Sequence, residues 1–138
     1  MSIKQAAGFI EIPHTADWAV QVWAPQYCDL LVQAALALYS LTETRLASSP
    51  CFIHRLDEIE GDRESMLVAF LSELIYLSEM ERKGFDQFSL DLSQGVLRGE
   101  LEGGAILNQS REIKAVTYHE LAIRETPTGL VTTIVFDV

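Results

Sequence analysis

Apolar residues recur along this chain with two different periods, and the switches between them mark out its elements. Phe9 to Ile12 and Trp18 to Ala24 read as short strands, the second alternating Trp18, Val20 and Val22 on one face. Pro13-His14-Thr15-Ala16-Asp17 separates them. Proline has no backbone donor and cannot extend a ladder at its own position, so these residues form a loop that presents side chains. From about residue 26 to 41 the period lengthens. Tyr27, Leu31, Ala34, Leu38 and Leu41 fall on one stripe, predicting a core-facing helix. A strand is expected within residues 48–59, where Cys51, Ile53, Leu56 and Ile59 alternate with polar residues. Asp62 then offers an N-cap, Glu64 an acid in the first turn, and Arg82-Lys83-Gly84 a basic C-terminus with a glycine, bracketing a second helix over roughly 62–83.

Beyond that helix the period returns to two. Phe88, Leu90 and Leu92 alternate with Ser89, Asp91 and Ser93, Gly95 marks a turn, and Val96, Leu97 and Leu101 resume an extended pattern, which predicts a hairpin. Gly103-Gly104 reads as a break. Residues 113–118 and 121–124 are candidate strands, Thr126-Pro127-Thr128-Gly129 a turn, and Leu130 to Val138 a last strand. Strands, two long helices and a closing meander predict an α+β fold, an antiparallel or mixed β-sheet covered by two main α-helices. No repeat, linker or low-complexity tract divides residues 1–138, so a single domain is expected.

Charge and composition narrow the function. Twenty acidic against ten basic residues give a formal net charge of −10, which repels a phosphate backbone and makes direct high-affinity nucleic-acid binding unexpected. The apolar run from Met66 to Leu77 is interrupted by Ser72 and Glu73, and the first eight residues lack the apolar core of a secretory signal, so neither membrane insertion nor export is expected. The expectation is a cytoplasmic protein. Cys28 and Cys51 form no CxxC pair and no zinc pattern with His14, His54 and His119, and are expected to be buried free thiols. Neither a Walker lysine nor a GxGxxG before a helix is present, and no serine sits in a nucleophile elbow.

The remaining chemistry rests on oxygen donors. Asp137 follows the strand Val131 to Phe136 and precedes Val138, whose free carboxylate would add a second anionic group. With Asp17 from another strand edge, this makes three hard ligands that suit calcium, magnesium or manganese better than zinc. Taken singly, these aspartates read better as a turn cap and a solvated charge. The segment from Arg111 to His119 concentrates basic and hydroxyl groups between apolar residues. Lys114 and His119 could there meet a partner's acidic or phosphate groups, and the simpler reading is a strand with one wet face.

Four blocks together resemble the archease family: His14-Thr15-Ala16-Asp17, Leu71-Ser72-Glu73-Leu74-Ile75-Tyr76-Leu77, Ile113-Lys114-Ala115-Val116-Thr117-Tyr118-His119, and Ile134-Val135-Phe136-Asp137-Val138. They span nearly the whole chain in the family's order. Two positions depart from its pattern: Ala69 stands where archeases often carry an aspartate, and Glu120 follows His119. The resemblance implies a non-catalytic activator of the RtcB-type RNA ligase of tRNA splicing and RNA repair, promoting ligase guanylylation and multiple turnover. It also implies a divalent metal at Asp17, Asp137 and Val138, with calcium the first expectation and magnesium or manganese the alternatives, and a functional role for Lys114. Two other classes stand beside it. One is a small metal-dependent phosphohydrolase or nuclease using the same carboxylates with His14 as general base. The other is a chaperone-like interaction module with no metal role.

Overall fold

The computed structural model describes residues 6–13 and 17–138. Its elements run β1 (Gly8–Ile12), β2 (Trp18–Ala24), α1 (Tyr27–Leu41), β3 (Thr44–Leu46), β4 (Phe52–Glu60), α2 (Arg63–Glu81), β5 (Lys83–Ser93), β6 (Val96–Gln109), β7 (Ala115–Val116), β8 (Arg124–Thr126) and β9 (Gly129–Asp137). Every strand pair is antiparallel. The strands form two sheets rather than one. The first runs β1-β2-β9-β7, with β8 also on β9; the second gathers β3, β4 and β5 around β6. Both helices touch strands of both sheets, α1 meeting β2 and β5 and α2 meeting β7 and β4. The helices therefore bury more than one stripe each.

Helix α1 begins just after Pro25, and its apolar and alanine positions put Leu30, Leu31, Ala34, Ala35, Ala37 and Leu38 into the core. It ends where Thr42 folds its hydroxyl back onto the Leu38 carbonyl at 2.9 Å. Helix α2 starts as expected: the Asp62 carboxylate accepts the Ser65 N–H at 2.8 Å, and this bond holds its pKa below the usual carboxylate value. Its end differs. Arg82, not glycine, takes the left-handed cap conformation at φ 53°, while Lys83 and Gly84 already belong to β5. Gly84 serves close packing instead, since a Cβ there would sit 2.7 Å from the Leu46 side chain.

The expected break at Gly103-Gly104 is also absent. Strand β6 runs through both glycines, because a Cβ at Gly103 would strike the Gly84 carbonyl and one at Gly104 the Ala47 carbonyl. The two candidate strands after residue 112 shrink to Ala115–Val116 and Arg124–Thr126, both on the same edge of β9. Between them the chain turns away, with the Leu121 N–H bonded to the Tyr118 carbonyl and Glu120 at φ 55°. The main-chain N–H of Ile123 donates to Glu64 Oε2 at 2.9 Å, tying that excursion to the first turn of α2. Val20, Val22, Ile134 and Phe136 on the inner face of the first sheet join Leu31, Phe70, Leu71 and Leu101 in one core cluster. Each such side chain contributes about 1.5–3 kcal/mol by leaving water. Among the described residues, no helix is long and apolar enough to cross a membrane.

Candidate metal and partner site

The end of the first sheet is organised by register. Strand β2 pairs with β9 from Ala24–Leu130 to Trp18–Phe136, and on the other edge of β9 Ala115 lies opposite Asp137. Continued by one residue, the β2–β9 register would set Asp17 across from Asp137. Facing residues of an antiparallel pair point the same way, with Cβ atoms about 4.5–5.5 Å apart. Because side chains alternate, both aspartates share the face of Ala19 and Val135, opposite to the core face that carries Val20, Ile134 and Phe136. Asp17 is half-buried and Asp137 exposed.

Lys114 fixes this arrangement through its main chain, donating its N–H to the Asp137 carbonyl at 2.9 Å. One step further along the edge, the N–H and the hydroxyl of Thr117 both donate to the Val135 carbonyl at 3.0 Å. The Lys114 side chain goes elsewhere. Since Ala115 shares the Asp137 face, the alternation sends Lys114 to the other side, where it borders a cavity of about 180 Å³ shared with Tyr39, Ser78, Glu79, Arg82 and Gln109. The sheet end thus has a carboxylate face and a cavity face. Arg111 anchors the approach to both: its guanidinium lies 5.1 Å over the Trp18 ring and pairs with Glu43 at 3.2 Å. Its place at the head of a mixed polar and apolar segment was the only sequence signal of that role.

The other candidates are placed differently. His119 is exposed on the excursion after β7, with Nε2 3.8 Å from Glu120 and its main-chain N–H bonded to the Thr117 hydroxyl at 3.3 Å. His14 lies outside the described residues. Ala69 is exposed on α2. The sequence expectation of buried thiols is not met by either: Cys28 is half-buried and Cys51 exposed. Neither is activated. Burial and nearby acids push Cys28 up, and the hydrogen bond that Cys51 donates to Glu102 at 3.0 Å raises its pKa in turn.

Among the described residues, no three His, Cys, Asp or Glu side chains converge on one point. Asp17, Asp137 and an oxygen of Val138 would offer only oxygen donors, chemistry that suits a hard divalent cation completing its shell with water better than zinc.

The Archease protein family model matches residues 9–138, which include both aspartates, the Lys114 segment and the last strand. The chain belongs to the archease family. An archease of Methanopyrus kandleri is 35% identical over 82% of this chain and 86% of its own length, and one of Pyrococcus furiosus 32% identical over 84% and 87%. That of Methanosarcina barkeri is 31% identical and aligns over 98% of this chain and 99% of its own. Among solved structures, that of a Thermotoga maritima archease, described as a possible chaperone, superposes with a TM-score of 0.68 at 25% identity, covering 92% of this chain and 94% of the other. A Methanobacterium thermoautotrophicum protein shares the fold with a TM-score of 0.72 at 20% identity over 95% and 99%. The archease fold accounts for both sheets and both helices.

Proposed function

We propose that this archease is a non-catalytic activator of an RtcB-type RNA ligase, acting in the cytoplasm to promote guanylylation and multiple turnover of that enzyme. The reading rests on the β2–β9 register, which, continued by one residue past Trp18–Phe136, would bring Asp17 opposite the exposed Asp137 at the end of the first sheet. Two acids held there by backbone pairing can meet a partner's active-site mouth without refolding. A divalent ion bound to Asp17, Asp137 and a main-chain oxygen of Val138, calcium first and magnesium or manganese next, would supply positive charge to a phosphoryl oxygen as the ligase nucleophile attacks the nucleotide's α-phosphate. The protein's own work is positional. Asp137 is oriented by the Lys114 N–H, Asp17 by its place at the entry to β2, and the exposed His119, on the excursion after β7, is a contact for the partner's acidic or phosphate groups.

The assay is guanylylation of the ligase by a nucleoside triphosphate, with and without this protein. Wild type is expected to raise the rate, and Asp17→Ala and Asp137→Ala to lose that stimulation while keeping the fold. Unchanged stimulation by both variants would sink the metal-presenting reading. The description of the Thermotoga relative as a possible chaperone favours one second reading, an interaction module with no metal role. It predicts ligase stimulation that survives both substitutions and withstands chelator. Phosphoester turnover by the isolated protein with added manganese would instead favour a small hydrolase.

A further inference from the structure

The cavity behind the carboxylates has a lining that the activator reading leaves unused. Its floor is a closed network between four elements. The Gln109 amide donates to the Thr44 hydroxyl at 2.9 Å and to the Ser78 hydroxyl at 3.0 Å, and Thr44 is bonded in turn to Thr42 at 2.7 Å. These groups hold one another in place before any ligand arrives. Tyr39 also contributes to the lining, although its buried hydroxyl lies beside Phe85 and Asp86 of β5 rather than in the cavity. Burial pushes the Tyr39 phenol's pKa up, with the Phe85 main chain acting in the opposite direction.

The rim carries four charges of both signs. Lys114 and Arg82 are cations and Glu79 and Glu112 anions, and none of the four side chains forms an ion pair among the described residues. Leu38, Ile75 and Ile113 supply an apolar wall. A lining with two unpaired charges of each sign is poorly matched to a pure anion or a pure cation. A volume of about 180 Å³ falls below the roughly 300–1,000 Å³ of sites for drug-sized ligands and fits about ten non-hydrogen atoms.

We propose that this cavity is a binding site for a small zwitterion, a free α-amino acid with an apolar side chain. Its carboxylate is held by Lys114 and Arg82, its ammonium by Glu79 and Glu112, and its side chain against the apolar wall. Lys114 then has two separate tasks, a main-chain bond to Asp137 and a side-chain contact in the cavity. Amino-acid occupancy would thereby be felt at the carboxylate face through one residue.

The test is calorimetric or NMR titration of the purified protein with L-leucine, with leucinamide, which lacks the carboxylate, and with 4-methylpentanoate, which lacks the ammonium. Leucine is expected to bind with a dissociation constant of about 1 mM or tighter, and each single-charge analogue about tenfold more weakly. Glu79→Gln is expected to weaken leucine and leucinamide and spare 4-methylpentanoate, and Lys114→Gln to weaken leucine and 4-methylpentanoate and spare leucinamide. Ser78→Leu, which fills the cavity, should abolish binding in a protein whose circular dichroism is unchanged. Equal binding of the three probes, or no saturable binding of leucine at ten times the expected constant, overturns the proposal. No ligase enters this measurement, so its failure leaves the activator reading standing, and failure of the activator reading leaves the cavity to be judged by these titrations.

Discussion

Asp137 and Lys114 are joined by one main-chain hydrogen bond, yet they belong to regions built on different principles. The carboxylate face is governed by strand register: the β2–β9 pairing, continued one residue past Trp18–Phe136, would bring Asp17 opposite Asp137. The cavity face is made by side chains from α1, α2, β3 and the end of β6, which meet through Thr42, Thr44, Ser78 and Gln109. Backbone pairing tolerates changes of side chain at the surface. A buried polar network does not, because losing one member strands the others. The two faces should therefore fail differently under mutation.

The harshest way to break that contrast is to remove the layer both faces share. Phe136 is fully buried between the carboxylate register and the core, and Phe136→Ala is expected to cost about 3–5 kcal/mol in urea unfolding and to damage both faces together. Gln109→Ala should separate them. It leaves the Thr44 and Ser78 hydroxyls short of a donor, costing about 1–3 kcal/mol, while divalent-ion affinity stays at the wild-type value in calorimetry. Asp137→Ala should give the mirror image, weakening divalent-ion binding at least about tenfold with a melting temperature close to wild type.

The smallest expected effect concerns the helix that supports the cavity floor. Asp62 caps α2 with its pKa lowered by the Ser65 N–H. Its charge therefore stabilises the fold fully above the unfolded carboxylate pKa, and that contribution fades as pH falls through the lower folded value. Asp62→Asn keeps a cap but removes the titration. The melting temperatures of wild type and variant, compared from neutral to acid pH, should converge or cross as the wild-type carboxylate protonates. A constant difference would mean that the cap bond carries no charge dependence.

How much of this was legible in the sequence follows the same division. Helix α2 announces itself through Asp62 and Glu64, and β9 through its unbroken β-branched run, because both signals are local. Asp17 and Asp137 were visible as oxygen donors at strand ends, but their juxtaposition depends on a non-local register and entered the sequence reading only through resemblance. The glycines misled for a physical reason. Gly103, Gly104 and Gly84 look like punctuation, whereas three strands approach so closely there that no Cβ fits. Strand β3 is too short to show a period, and its place is set by β6. The cavity was invisible, since Tyr39, Ser78, Arg82, Gln109 and Lys114 share no motif and meet only in the fold.

The bond from the Lys114 N–H to the Asp137 carbonyl also makes that one amide a built-in reporter. Its proton exchanges with deuterated solvent only when the last residues of β9 detach from their edge strand. Following this single resonance, with the core amides of Ile134 and Phe136 as internal references, would time the opening of the sheet end separately from unfolding of the protein. Any ion, amino acid or ligase that steadies this corner would slow the Lys114 exchange first.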